Sequence, residues 1–178
     1  MSLNTTAKVP AAARTKLLTV TAILMGMNIA MSSFGIPVPG GHFYLNDIVI
    51  TAAALLLDPL HAFIVGGVGA FLGDLFFYPT PMFVSLVTHG IQAVAVSLIA
   101  HHSTKENEMK MGWIAAFVGM LINVVGYTIG RSFIYATPEA AMLKLPFQII
   151  QAGVGSALGV LLVYRLGLRE QFDRMMHQ

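Results

Sequence analysis

The sequence has no cysteine among its 178 residues, so disulfides and thiolate metal sites are excluded. Charge is scarce too. Asp, Glu, Lys and Arg make up 10% of the chain, against roughly 25% in ordinary globular proteins. That is too little to cover a water-facing surface. No Gly-x-x-x-x-Gly-Lys phosphate loop is present, so energy from ATP has to come from a partner. No internal repeat is visible, which removes the usual sign of an inverted-repeat secondary transporter. Basic residues are not interleaved with aromatics in any patch, and nucleic acid is not an expected partner.

What the chain does have is apolar length. Residues of the hydrophobic class reach 56% and the mean hydropathy is +0.75, the composition of an integral membrane protein. Leu17 to Asn46, Leu75 to Thr104, Met111 to Gly130 and Leu145 to Tyr164 carry no Asp, Glu, Lys or Arg. Each is long enough to supply a span of about 20 residues. Between them, Asp58-Pro59 reads as a turn that divides a short helix, Asp47 to Leu57, from a second, Leu60 to about Phe77. The expectation is an all-α membrane protein, a six-helix bundle in one membrane domain. Residues 1–15 are expected to fray, and 165–178 to form a cytoplasmic tail. The short second helix has to be tilted, extended by loop or sheltered by protein. The first apolar run is too long for a signal peptide and has no clear cleavage site, so it is read as a retained span.

Lys8, Arg14, Lys16, Lys105, Lys110, Arg165, Arg169 and Arg174 fall on one side of this arrangement, and only Arg131 and Lys144 on the other. The positive-inside rule then places both termini in the cytoplasm.

The last three spans carry polar residues at spacings of three or four: Ser85, His89 and Gln92; Asn123, Tyr127 and Arg131; Lys144, Gln148 and Gln151. On helices each set forms one stripe. At 1.5 Å per residue, His89 and Gln92 lie roughly 10 and 15 Å below the outer end of a span starting near Met82. Gln148 and Gln151 lie at roughly the same depths if theirs starts near Ala141, and at roughly 3 and 8 Å if Pro146 opens it. Arg131, Tyr127 and Asn123 lie roughly 5, 10 and 16 Å below Ile134. Agreement in depth favours a ligand pocket over scattered interhelical hydrogen bonds, the ordinary role of a single Asn or Gln in a bundle. Lys144 near a helix start also reads as an interfacial anchor, and Ser85 and Lys144 are left out of the candidate binding set.

The first outer loop, Gly35 to Asp47, is rich in turn residues yet carries His42, Phe43 and Tyr44, and reads as a lid. Asn46 and Asp47 read as caps of the short helix, with Tyr44 and Asn46 also available to a ligand. Asp74 is read as structural, placed to pair with Arg131. His61 with Asp58, and His101 with His102, lack a third ligand, so no metal site is expected. Gly153-Val-Gly155-Ser156-Ala157 has the outline of a nucleophile turn, but no strand precedes it. Ala22, Gly26 and Ala30 form a small-xxx-small ridge that admits another helix, by default within the bundle; Gly66, Gly69 and Gly73 form a second.

The small-residue ridge, the run Tyr44-Leu-Asn-Asp-Ile-Val-Ile-Thr-Ala-Ala-Ala-Leu-Leu-Leu-Asp-Pro, the run Gly66-Gly-Val-Gly-Ala-Phe-Leu-Gly-Asp-Leu and the stretch Leu145-Pro-Phe-Gln-Ile-Ile-Gln-Ala-Gly-Val-Gly resemble the substrate-binding S components of energy-coupling factor (ECF) vitamin transporters. The resemblance spans roughly Leu17 to Leu168. It implies a multi-pass protein of a prokaryotic cell membrane that captures a vitamin or precursor from outside. It also implies partners, a membrane coupling subunit and two cytoplasmic ATPase subunits that hydrolyse ATP, with no cofactor in this chain. Ala22, Gly26 and Ala30 become the docking face for the coupling subunit. Tyr44, Asn46, His89, Gln92, Asn123, Tyr127, Arg131, Gln148 and Gln151 become the candidate substrate-binding residues. Thr88-His-Gly-Ile-Gln with Gln148 and Gln151 is most similar to the hydroxymethylpyrimidine branch, with pyridoxine next. An acidic substrate such as pantothenate would draw on Arg131 or Lys144. The competing readings are a stand-alone small-solute permease and an intramembrane enzyme using His89. The second is disfavoured because the deep stripes hold no carboxylate or nucleophile.

Overall fold

The structure, a computed structural model, describes residues 11–177. Helix α1 (Ala11–Met31) is followed by a two-stranded antiparallel hairpin, β1 (Ile36–Val38) and β2 (Gly41–Phe43), and by the short α2 (Asn46–Leu56). Helix α3 (Pro59–Phe77) contains a π segment at Ile64–Val68. Then come α4 (Met82–His101), α5 (Glu108–Gly130) continued by a π turn at Arg131–Tyr135, α6 (Pro138–Tyr164) and α7 (Leu168–His177). Four helices, α3, α4, α5 with its flanking turns, and α6, are long and apolar enough to cross a membrane.

Two boundary expectations change. Ala11 to Thr15 belong to α1 rather than to a frayed end, while Met1 to Pro10 lie outside the described residues. Helix α6 begins at Pro138, capped by Thr137, whose side chain accepts from Ala140 N at 3.3 Å, and it runs through Pro146 instead of starting there. Pro at the first helical position loses no hydrogen bond, which is why Pro138 marks the start.

Helix α2 is about 16 Å long at its 11 residues and 1.5 Å per residue, roughly half a bilayer core. Shelter by protein makes it viable, since every residue but Ile48 is buried. Against it packs α6, where glycines four residues apart face α2. A Cβ on Gly159 would lie 2.7 Å from Thr51 Cβ, and one on Gly155 would collide with Asp47. The Gly153-to-Ala157 segment is therefore helix packing, not a catalytic turn. Gly66, Gly69 and Gly73 likewise pack within the chain, against Ala93, Asn28 and Ser32. Asp58 caps α3, accepting from Leu60 N at 3.1 Å and His61 N at 3.3 Å, which accounts for the Asp58–His61 pair as structure.

One end of the bundle is tied together by the C-terminal segment. Arg169 donates to Leu55 O at the end of α2 (3.0 Å) and pairs with Glu108 of α5 (3.7 Å). Lys16 donates to Met175 O at 3.0 Å, and Leu168 and Phe172 pack on the core. The expected tail is thus largely a docked helix. Arg131, Lys144 and the hairpin occupy the opposite end.

Candidate substrate-binding site

Beneath the hairpin lies a cavity of about 100 Å³. The hairpin is set there by glycine. Gly40 (φ +78°) and Gly41 (φ +153°) turn the chain in left-handed backbone conformations. A Cβ on Gly40 would stand 2.9 Å from Ala140 O of α6, so the turn can sit flush on that helix only without a side chain. Arg131 clamps the turn by donating from Nη1 to Gly40 O. Lys144 Nζ lies 5.9 Å from the centre of the Phe43 ring and donates to Gln151 Oε1 at 3.3 Å.

Tyr44, Asn46, His89, Tyr127, Arg131, Gln148 and Gln151 line the cavity. Gln92 and Asn123 do not; both are fully buried behind it, where they converge on a residue whose position in the sequence suggests a cap. Asp47 is 0% exposed. Its Oδ1 accepts from Gln92 Nε2 at 3.1 Å and Asn123 Nδ2 at 2.9 Å, and lies 3.8 Å from His89 Nδ1. The residue before α2 is Leu45, and no side chain caps that helix. The capping assignment for Asn46 and Asp47 is therefore replaced, and the deep site does contain a carboxylate.

This carboxylate sets the proton arrangement of its neighbours. A carboxylate accepts only, so Gln92 turns its amide nitrogen to Asp47 and its carbonyl to His89, 2.8 Å from Nδ1. His89 then carries a proton on Nδ1, and in the neutral ring Nε2 is an acceptor. Gln148 Nε2 donates to Asn123 Oδ1 at 2.6 Å, leaving the Gln148 carbonyl for the cavity. Gln151 Oε1 accepts from Tyr44 N at 3.1 Å as well as from Lys144, leaving its amide hydrogens. The Tyr127 ring stands edge-on to His89, centroids 5.3 Å apart. Burial, followed by the negative charge of Asp74, pushes the Tyr44 phenol up to about 12, so it stays a neutral hydrogen-bond donor.

Three further residues differ from their expected placement. Lys144 is 2% exposed, which removes it as an interfacial anchor. Asp74 makes no ion pair with Arg131. It lines the cavity and accepts from Ser85 Oγ, and Ser85 in turn lies 2.5 Å from Tyr127 OH. Ser85, left out of the candidate binding set, thereby joins the polar group behind the cavity wall. Ser32, His42, Tyr78 and Tyr135 also line the cavity, and nothing in their spacing sets them apart. On α1, Ala22, Gly26 and Ala30 are not buried, with nothing within 4 Å of the space a Gly26 Cβ would take.

The family described as ECF-type riboflavin transporter, S component, matches residues 12–168. The chain belongs to this family of ECF transporter S components. The S component is 30% identical over 167 residues to the thiamine precursor transporter HmpT of Lactococcus lactis subsp. cremoris (strain MG1363), covering 89% of this chain and 94% of that one. It is 31% identical over 138 residues to an uncharacterized protein of Pyrococcus woesei, covering 74% and 90%. A solved S component of a bacterial ECF transporter shares the fold, with a TM-score of 0.63 at 18% identity, over 89% of this chain and 99% of that one. This S component is a transport protein of a prokaryotic membrane and not an enzyme, so the buried carboxylate beside His89 is not read as catalytic.

Proposed function

We propose that this S component captures a single-ring vitamin precursor, hydroxymethylpyrimidine or a pyridoxine-like compound, in the cavity beneath the hairpin. A membrane coupling subunit and two ATPases then drive its release into the cell. The bundle crosses the membrane six times, α1 and the sheltered α2 joining the four long apolar helices, with both termini in the cytoplasm. The Ala22, Gly26 and Ala30 face docks the coupling subunit.

The observation that carries this reading is the cavity itself, closed by Arg131 on Gly40 and walled by polar groups with lone pairs and hydrogens to spare. Its volume of about 100 Å³ is well below the roughly 300–1,000 Å³ of pockets for drug-sized ligands. That is closer to the size of one aromatic ring than to the fused three-ring system of riboflavin, the compound in the family's description. The relative named for a thiamine precursor supports the same choice. Gln151, Gln148 and His89 read the ring edge, and Tyr44 and Tyr127 supply aromatic surface.

The test is mass spectrometry of small molecules that co-purify with the protein in detergent. A stoichiometric single-ring heteroaromatic, lost in His89→Ala and Gln151→Ala, is expected. Undiminished retention in both variants would remove these residues from the site.

A further inference from the structure

The wall of the cavity next to α3 and α4 offers acceptors without matching donors. Among the described residues the hydrogen-bond partner of Asp74 is Ser85, which gives its hydroxyl hydrogen to Oδ2. Having spent that hydrogen, Ser85 Oγ must receive the one from Tyr127 OH, 2.5 Å away. The chain of protons Tyr127 to Ser85 to Asp74 therefore uses every hydrogen on these three groups. It leaves the second Asp74 oxygen and a Tyr127 oxygen lone pair without a donor, and both residues line the cavity. Asn46 adds an independent sign. It lines the same cavity, is 7% exposed, and its Oδ1 is buried with no hydrogen-bond partner. A buried carbonyl oxygen without a donor costs free energy unless a ligand supplies one.

We infer that Asp74, with Asn46, is the specificity determinant of the site and reads a ligand edge made of N–H donors: an exocyclic amine beside a ring nitrogen. This inference rests on the cavity being the capture site for a single-ring heteroaromatic, and it narrows that class to amine-bearing rings. One amine hydrogen goes to Asp74, and the other meets Asn46 Oδ1 once that side chain turns to the cavity, since without a ligand the atom is enclosed. The ring nitrogen beside the amine takes a proton more readily next to the carboxylate, and the protonated edge then meets Asp74 with two parallel hydrogen bonds. A ring bearing an oxo group at that position sets lone pair against lone pair. Sites built to bind an N–H group discriminate strongly in this way, because the mismatched ligand leaves buried groups unpaired. Other donors on the cavity lining, among them Arg131, the Gln151 amide and the Tyr44 and Tyr135 hydroxyls, remain for the ligand's own acceptors.

The experiment is calorimetric titration of the detergent-purified S component with two probes: hydroxymethylpyrimidine carrying its exocyclic amine, and the counterpart with oxo in place of the amine. The wild type is expected to bind the amine at least about 100-fold more tightly. Asp74→Asn is expected to lose about 10- to 100-fold for the amine, the effect of one charge-assisted hydrogen bond, and to gain for the oxo compound, to which the new amide can donate. Should Asp74→Asn not fold, Asn46→Ala makes the same comparison, with roughly 10-fold weaker amine binding and no loss for the oxo compound. Equal losses for both probes, or a wild type that prefers the oxo compound, would overturn the role of Asp74. A wild type that binds neither probe nor pyridoxine would instead defeat the single-ring reading beneath it.

Discussion

Replacing Asp47 by alanine removes the acceptor for two buried donors, and the two do not suffer equally. Asn123 Nδ2 keeps Gln92 Oε1 at 3.1 Å, whereas Gln92 Nε2 has Asp47 as its partner among the described residues. One amide is thus left unsatisfied in a dry site, at about 1–3 kcal/mol. Removing a buried charge whose ionic neighbour within 4.0 Å is His89 returns part of this. The expected net loss for Asp47→Ala is about 1–2 kcal/mol, a fall in Tm of roughly 2–8 °C for a chain of this size. Ligand affinity falls as well, because an untethered Gln92 no longer holds the proton on His89 Nδ1. Asp47→Asn keeps an oxygen for both donors and removes the charge, so its stability should stay within about 1 kcal/mol of wild type, with binding retained. Thermal unfolding in detergent, with and without ligand, separates the two. If Asn proves as damaging as Ala, the charge and not the acceptor is what the site needs, and the proton arrangement assigned to Gln92 and His89 is wrong.

Arg131→Ala frees the hairpin from Gly40 O; stopped-flow measurements should show ligand release about 10- to 100-fold faster, the loss of a charge-assisted hydrogen bond. Gly159→Leu drives a side chain into Thr51 and Ile48 O; Tm should fall by the equivalent of about 1–3 kcal/mol or more, with loss of binding as α2 is pushed off α6. Gly26→Leu meets open space, so ligand binding by calorimetry should be unchanged while ATP-driven uptake with the partner subunits is lost; normal uptake would return the ridge to a lipid-facing surface.

Much of the fold is legible in the sequence because its signals are local. Charge-free runs, Asp58-Pro59 and Thr137-Pro138 mark where helices begin and end. Periodicity brings His89, Gln148 and Gln151 to one cavity. It does not show that Gln92 and Asn123 stand behind it, since that depends on how far each helix is rotated about its axis. Asp47 reads as a cap for a physical reason: Asn-Asp ahead of an apolar run has the form of a helix start. The contrary sign is the same helix's length, for a segment too short to span must be enclosed, and then its only charge is enclosed with it. Sign and depth alone pair Asp74 with Arg131. In the structure each finds another partner, Ser85 and Gly40, from segments whose approach no spacing rule gives. Lys144 near a helix start looks like an anchor because the hairpin that covers it comes from a distant part of the chain, and the contact depends on a glycine turn lying against α6.

The most direct test of the binding site is equilibrium binding of hydroxymethylpyrimidine, pyridoxine and riboflavin to the purified wild-type S component, measured side by side. One-to-one binding of a single-ring compound, with none of riboflavin, is the expected result. One-to-one binding of riboflavin, with the single-ring compounds inert, would contradict it.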